Sequence, residues 1–340
     1  MTKEKAKNNV RALALLSGGL DSMLAAKLIL NQDIEVIGIS FESPFFNAER
    51  ARKAAKQLNI PLITWDITDD LIDVLKSPKH GFGRYFNPCI DCHALMVRKA
   101  MELLPSLQGD FIITGEVLYQ RPKSQKIGGL MAVAKDSGAH DIILRPLSAQ
   151  LLPQTKPEIE GLVDRNRLCD IQGRSRERQF ALAHTLGINE FPMPAGGCLL
   201  TDISVTGRMR KIFQYWKDYI GRPFLQIAKA GRHFWVKDSF IVVSRNEQEG
   251  YDLGNLMSVW DYKVELTNVP GPTTIVRAKQ RPDDDLLELA ALLTARYSKA
   301  RSNDAVEVMA ENYLYKERKV FTVNPSMLEE KIRFMQAEQL

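Results

Sequence analysis

The sequence predicts an α/β protein in which a parallel sheet flanked by helices is followed by a smaller, separate α+β domain. Three observations carry this. Between Arg11 and Leu147, short apolar runs rich in β-branched residues alternate with helical patterns, the signature of strand–helix–strand units around a sheet buried on both faces. The first run, Arg11 to Leu16, ends in Ser17-Gly18-Gly19 and turns at once into a helical pattern near Ser22. From Pro223 onward the texture changes to short strand-like pieces joined by turn residues.

Each element follows from its local pattern. Ile34 to Phe41 (IEVIGISF) reads as the second strand, Ala48 to Leu58 as a helix and Pro61 to Trp65 as the third strand. Thr68 to Asn87 reads as a long connection that delivers Asn87-Pro88-Cys89-Ile90-Asp91-Cys92-His93, with a helix beginning near Cys92. Phe111 to Thr114 is the fourth strand, Ser124 to Ala134 a helix, and Asp141 to Leu144 a fifth strand ending at Arg145, a candidate phosphate contact or surface salt bridge. Leu151 to Gly187 reads as helical and polar. The predicted domains are 1–200, a basic linking helix within 201–222, and an α+β domain at 223–340. In the last, Arg232 to Val236 and Phe240 to Ser244 flank a hairpin turn. Gln248 to Met257 reads as a helix, Tyr262 to Thr267 and Thr274 to Arg277 as strands, and Asp283 to Ser298 as a helix with acids first and bases last.

The 340 residues suffice for two or three domains, and 45% hydrophobic with 26% charged residues is the composition of an ordinary globular protein. The opening MTKEKAKNN is polar and basic and no apolar window approaches membrane-spanning length, so a cytoplasmic protein without membrane attachment is expected. Four cysteines are too few for a disulfide framework, which leaves metal or redox chemistry for any that cluster. The net charge of +5 is mild, but residues 201–237 hold eight Lys/Arg against two Asp, and Asp164 to Arg178 holds five Arg. Arg174, Arg176 and Arg178 in one stretch, with Arg208, Arg210, Lys211 and Arg232 in the other, are candidate RNA contacts.

Two constellations carry chemistry. A strand ending in Ser and two Gly leaves several N–H groups aimed at one small volume, which suits an anion; Ser17 and Ser22 add hydroxyls, and Asp21 makes sense beside a metal ion such as Mg²⁺. In a parallel sheet ligands lie beyond the carboxyl ends of the strands, so Ser40 and Phe41 are candidates to meet an adenine edge, with Thr114 and Gly115 on the same side. The second constellation is Cys89 and Cys92 at a helix start, where the macrodipole favours thiolate, together with Cys198 on the Pro192–Cys198 turn. Cys169 reads as a packing residue.

Taken together, SGGLDS (Ser17–Ser22), NPCIDCH (Asn87–His93), TGE (Thr114–Glu116) and AGGC (Ala195–Cys198) resemble the PP-loop ATP pyrophosphatases, an adenine nucleotide alpha hydrolase-like fold, and among them the tRNA thiolation enzymes of the 2-thiouridylase and 4-thiouridine synthetase type. Gly231 to Gly250 and Leu289 to Arg301 resemble the NFACT-type RNA-binding domain. The resemblance implies ATP-binding by Ser17, Gly18, Gly19, Asp21, Ser22, Ser40, Phe41, Thr114 and Gly115, with Mg²⁺ near Asp21. It also implies adenylylation of a uracil carbonyl oxygen in tRNA, followed by sulfur insertion. Sulfur would arrive through a [4Fe–4S] cluster on Cys89, Cys92 and Cys198 that binds hydrosulfide, or through a persulfide on Cys198 that a CxxC thiol resolves. The donor would be hydrosulfide or a persulfide-carrying protein. A PP-loop ligase making amide or amine bonds on RNA, or a non-catalytic RNA-binding protein regulated by ATP, are the alternative readings.

Overall fold

The computed structural model describes residues 10–192 and 198–337. The chain divides into two compact units, Met1–Thr206 and Gly207–Leu340.

The first unit is a five-stranded parallel sheet wrapped by helices. Strands β1 (Arg11–Leu15), β2 (Glu35–Glu42) and β3 (Leu62–Asp66) alternate with helices α1 (Leu20–Leu30) and α2 (Glu49–Leu58). The predicted connection from Thr68 to Asn87 contains a further helix, α3 (Thr68–Lys76), which buries Leu71, Ile72 and Leu75 at helical spacing. Then come α4 (Cys89–Leu103), β4 (Phe111–Thr114), α5 (Ile127–Ser137) and a two-residue β5 (Ile143–Leu144). The stretch predicted as helical from Leu151 to Gly187 is mostly irregular, holding only α6 (Lys156–Ile159) and α7 (Glu177–Thr185) between turns.

Strand order is β3-β2-β1-β4-β5, so the chain leaves β1 toward one edge and returns on its other side at β4. That reversal opens a crevice beyond the carboxyl ends of β1 and β4, where Leu15 pairs with Ile39 on one side and Thr114 on the other. Near-continuous burial along β1, β2 and β4 reflects helices on both faces.

Residues 203–216, within the stretch read as a basic linking helix, are helical. Helix α8 (Ile203–Trp216) buries Met209, Ile212 and Trp216, and the Trp216 indole N–H donates to Asp238 O at 2.7 Å. The Trp216 ring at the end of this helix packs against Phe224 and Phe240 of the second unit.

The second unit follows as α9 (Arg222–Ile227), β6 (Arg232–Val236), β7 (Ser239–Val243), α10 (Glu247–Asn255), β8 (Tyr262–Leu266), β9 (Thr274–Arg277) and α11 (Asp284–Arg296). It ends with β10 (Val306–Asn312), β11 (Glu317–Val323) and α12 (Leu328–Ala337), where the sequence reading assigned no elements. Six antiparallel strands lie in the order β11-β10-β8-β9-β7-β6 and bury one face under α11. Arg277 is fully buried inside this unit, paired with Asp261 through Nη2–Oδ2 at 2.6 Å and Nε–Oδ1 at 2.9 Å, and lies over the Phe224 ring.

Candidate functional site

The loop after β1 occupies the crevice at the strand reversal. Leu16 N–H still donates to Ile39 O at 2.8 Å, and the chain then departs from the sheet. The two glycines do different things. Gly18 has φ +74°, and an added Cβ would sit 2.2 Å from the Arg50 carbonyl carbon, so its missing side chain lets the loop lie against the backbone of α2. Gly19 is ordinary in φ, and the nearest atom an added Cβ would meet is Ser17 Oγ at 3.5 Å. Only Gly19 leaves open room in which a phosphate could approach. The Gly19 N–H donates to Ser17 Oγ at 3.3 Å, and Ser22 Oγ donates to Gly19 O at 2.8 Å, so both hydroxyls shape the loop. At the start of α1 no side chain caps the first N–H groups, which keeps the positive end of the helix available to an anion.

Asp21 lies in the first turn of α1 and is held from two sides. Gln120 Nε2 donates to its Oδ2 at 3.0 Å, and Arg176 Nη2 to its Oδ1 at 3.2 Å. Arg176, read from the sequence as an RNA contact, belongs instead to this loop, although it is 155 residues away in sequence. Its guanidinium also lies over the Phe180 ring. Gln120 follows the end of β4 by six residues and opens the polar run QRPKSQK (Gln120–Lys126), whose place on the carboxyl-end side of the sheet was its only signal in the sequence.

On the β2 side, Ser40 and Phe41 are buried. Ile39 O faces β1 and Glu42 O faces β3, accepting from Ile67 N–H. Because main-chain groups alternate along a strand, those of Phe41 point to the β1 side, past the last pair of that ladder. This is the edge an adenine could meet. On the β4 side, an added Cβ on Gly115 would come within 2.5 Å of Ser22 N, so the residue is needed for close approach to α1. Thr114 Oγ1 is committed to Glu116 Oε2 at 3.2 Å.

Glu116 joins this loop to the thiols. It is 5% exposed, accepts from Arg145 Nε at 3.0 Å, and faces His93 Nδ1 at 3.0 Å. Burial alone would raise its pKa, but the Arg145 guanidinium and His93 outweigh it and bring the carboxyl down to about 2. Arg145 is therefore neither a phosphate contact nor a surface salt bridge. It is itself 7% exposed, and its Nη2 donates to Leu130 O.

Helix α4 begins at Cys89 itself, preceded by Pro88, and Cys92 N–H donates to Pro88 O at 2.8 Å. The Asn87 amide donates to Cys89 Sγ at 3.0 Å, while its oxygen accepts from Tyr85 N–H. Asp91 accepts from His80 N–H, and Lys123 Nζ donates to the carbonyls of His80, Gly81 and Phe82, so the approach to the two cysteines is braced from both ends. In a strand–helix–strand unit the helix start adjoins the carboxyl ends of the strands, which puts Cys89 and Cys92 at the same end of the sheet as the loop.

Cys198 returns to this place from the far end of the unit. Its Sγ accepts from Leu200 N–H at 3.3 Å, and Leu199 N–H donates to Phe45 O, just beyond β2. Its neighbours Met193 to Gly197, including the predicted Gly-Gly approach, lie outside the described residues. Cys92 and Cys198 are close enough that a negative charge on one disfavours it on the other, and Cys89 acts on both. The expected lowering of the thiol pKa by the helix dipole is not found at Cys92. Burial pushes that thiol well above its ordinary value, and the charges of Cys198 and Cys89 add to it. Burial likewise raises Cys198, to about 11.

The Cys92 and Cys198 thiols resist ionising, and with Cys89 they form a donor set whose charge a bound cation or cluster would neutralise. Among the described residues no three His, Cys, Asp or Glu side chains converge on a single point as one metal ion requires. A cluster makes a different demand, because each cysteine ligates its own iron. Cys169 packs against the first core, as read.

The predicted RNA contacts divide once their partners are known. Arg208 donates to the carbonyls of Ala228, Ala230 and Gly231, closing the end of α9, and so has a structural role. Arg178 is paired with Asp170. Arg174 and Arg210 are exposed, Lys211 lies over the Trp235 ring at 5.6 Å, and Arg232 lies over Tyr297 at 4.6 Å. No described helix is long and apolar enough to cross a membrane.

Comparison with known proteins gives two domains. Residues 8–162 match the thiamine biosynthesis protein (ThiI) family, and residues 231–335 match the NFACT protein RNA binding domain. A tRNA-specific 2-thiouridylase MnmA of Dehalococcoides mccartyi is 30% identical over 131 residues, 34% of this chain and 36% of the relative. A tRNA sulfurtransferase of Desulfurococcus amylolyticus is 31% identical over 146 residues, 40% of this chain and 29% of the relative. The chain thus spans about a third of the length of the curated relatives it matches. A solved 4-thiouridine synthetase–RNA complex with bound ATP is similar at 19% identity and a TM-score of 0.36, covering 53% of this chain and 52% of that one.

Proposed function

We propose that this protein is an ATP-dependent tRNA sulfurtransferase, which activates a uracil carbonyl oxygen with AMP and replaces it by sulfur. The observation that carries this reading is the short path from thiols to loop. Cys89 and His93 are one turn apart on α4, His93 meets Glu116, and Glu116 adjoins Gly115, which lies against Asp21 and Ser22. Activation and sulfur delivery must act on the same carbon in succession, and such a joint holds the two sets of groups in fixed relation.

In this reading the Gly19 opening and the uncapped N-terminus of α1 receive the ATP phosphates, and Phe41 main-chain groups meet the adenine. The uracil oxygen attacks the α-phosphorus, a P–O bond forms, and pyrophosphate leaves. Asp21 would hold Mg²⁺ against the phosphates, which frees Arg176 to meet the leaving pyrophosphate. A sulfur nucleophile then attacks the activated base carbon, and the carbonyl oxygen departs with AMP. Cys89, Cys92 and Cys198 would hold a [4Fe–4S] cluster, which when bound supplies an open iron for hydrosulfide. The NFACT-type domain supports RNA as the substrate, and relatives named for tRNA thiolation support the chemistry.

The test is anaerobic incubation of iron-loaded protein with ATP, Mg²⁺, sulfide and bulk tRNA. Pyrophosphate, AMP and a thiolated uridine, the last identified by nucleoside mass spectrometry, should form in equal amounts. Pyrophosphate release that persists when all three cysteines are Ser, with a new amide or amine on the RNA, would favour the ligase reading instead.

A further inference from the structure

The second unit contains a cavity of about 420 Å³ lined by Arg232, Arg296, Tyr297, Ser298, Arg301 and Leu328. Three guanidinium groups reach it from three places: the first residue of β6, the last residue of α11, and the turn that follows α11. No acid lines it among the described residues. Arg232 has a carbonyl partner, donating from Nη1 to Ser244 O at 3.3 Å, and its guanidinium lies 4.6 Å from the centre of the Tyr297 ring. Among the described residues, Arg296 and Arg301 have no carboxylate partner.

A helix end accounts for only part of this. One base in the last turn of α11 balances the negative end of the helix, and Arg296 could serve that role. Arg301 and Arg232 come from outside the helix, and like charges converge in a concave place only at a cost unless an anion sits among them. Ser298 offers nothing further, since its hydroxyl donates to Ala295 O and accepts from Ala300 N–H.

We propose that this cavity binds a phosphate of a single-stranded RNA segment, with the adjoining base stacked on Tyr297. Arginine forks match phosphate oxygens in pairs, which suits the anion. The 42% exposed tyrosine beside them offers a face for an unstacked base, a surface that free phosphate would not use. The proposal rests on the RNA-binding reading of residues 231–335 and assigns its contact point.

The experiment uses full-length protein, a fluorescent tRNA transcript and anisotropy across a salt series, with R296Q/R301Q as the variant because both side chains are exposed. Thermal melts of wild type and variant should coincide. The variant should bind tRNA about tenfold more weakly, with a log–log salt slope shallower by about 0.7, the single-strand value for one phosphate. Y297L should lose a further several-fold with the slope unchanged. R296K/R301K should recover the slope but not the full affinity.

Equal affinity and slope for wild type and R296Q/R301Q overturn the proposal. So does a variant that loses competition by inorganic phosphate while holding tRNA normally, for then the cavity takes a free anion. If wild type itself fails to bind tRNA, the function proposed above fails with it, and the two results are thereby told apart.

Discussion

Replacing Glu116 by Gln tests the joint between the nucleotide loop and the thiols. The carboxylate is buried among Arg145, His93 and Thr114, and its pKa of about 2 compares with an ordinary value of 4.5. Since the folded value is depressed, the unfolded chain takes up the proton more readily. The stabilisation is therefore complete above about pH 4.5 and is lost as the pH falls from there toward 2. The gap between those values, at about 1.4 kcal/mol per pH unit, amounts to roughly 3 kcal/mol. An independent estimate agrees: removing one partner of a buried ion pair costs about 3–5 kcal/mol, because Arg145 keeps its charge without its counter-ion. E116Q should accordingly destabilise the first unit by about 3 kcal/mol at pH 7. Amide hydrogen exchange of β1 and β4 peptides reads this directly. The difference between wild type and variant should shrink by about 2 kcal/mol between pH 5 and pH 3, as the carboxyl of the unfolded wild-type chain takes up its proton while the folded one stays ionised. A cost below about 1 kcal/mol, or a difference indifferent to pH across that window, would refute the assignment of Glu116 as an ionised structural centre.

The remaining predictions address other parts of the chain. Gly18→Ala should cost about 2–4 kcal/mol from left-handed backbone strain and overlap with Arg50, whereas Gly19→Ala should melt like wild type but raise the KM for ATP in pyrophosphate exchange; equal melting of the two variants would contradict the separate roles. Cys89→Ser, Cys92→Ser and Cys198→Ser should each abolish thiolated uridine while retaining tRNA-dependent pyrophosphate release, and iron content measured on each variant should fall below wild type. Burial, with Arg208 nearby, lowers the pKa of His233 to about 4 from 6.5, so the folded imidazole stays neutral and the second unit should lose stability as the pH falls from 6.5 toward 4; H233Q should flatten that dependence in chemical denaturation. Asp261→Asn should destabilise the second unit by about 3–5 kcal/mol in the same assay by stranding the buried Arg277.

How much of this was legible in the sequence follows from the range over which each signal acts. The five parallel strands and the loop from Ser17 to Ser22 could be read because their information is contiguous: buried strands are apolar throughout, and a strand-to-helix turn announces itself by its glycines. Helix α3 and strands β10 and β11 were overlooked although their periods are regular, with Leu71, Ile72 and Leu75 on one helical face and inward Val306, Val308 and Ala310 alternating along β10. In Thr68 to Asn87 the Pro, His and Gly residues beyond the helix favour a connection, whereas residues 299–324 carry no such punctuation and were assigned no element. The thiol pKa was misjudged because a dipole can be read from a helix start, whereas the burial that overrides it at Cys92 is a property of the assembled unit.

The basic residues show the same limit in its clearest form. Density of Lys and Arg marked Arg176 and Arg208 as RNA contacts, yet Arg176 holds Asp21 across 155 residues and Arg208 closes the end of α9. Arg296, by contrast, looked like the ordinary basic end of a helix, and Arg301 was only the last residue of the stretch that resembles the NFACT-type domain. What separates these cases is whether a guanidinium already has a carboxylate or carbonyl partner, and only the fold decides that. Charge counted along a chain says how many cations must be neutralised; charge left over after folding says where an anion is still wanted. On that argument the RNA should follow the arginines that fold without partners, and the first measurement to separate the two sets is the salt slope of R296Q/R301Q against that of R178Q, whose guanidinium is paired with Asp170.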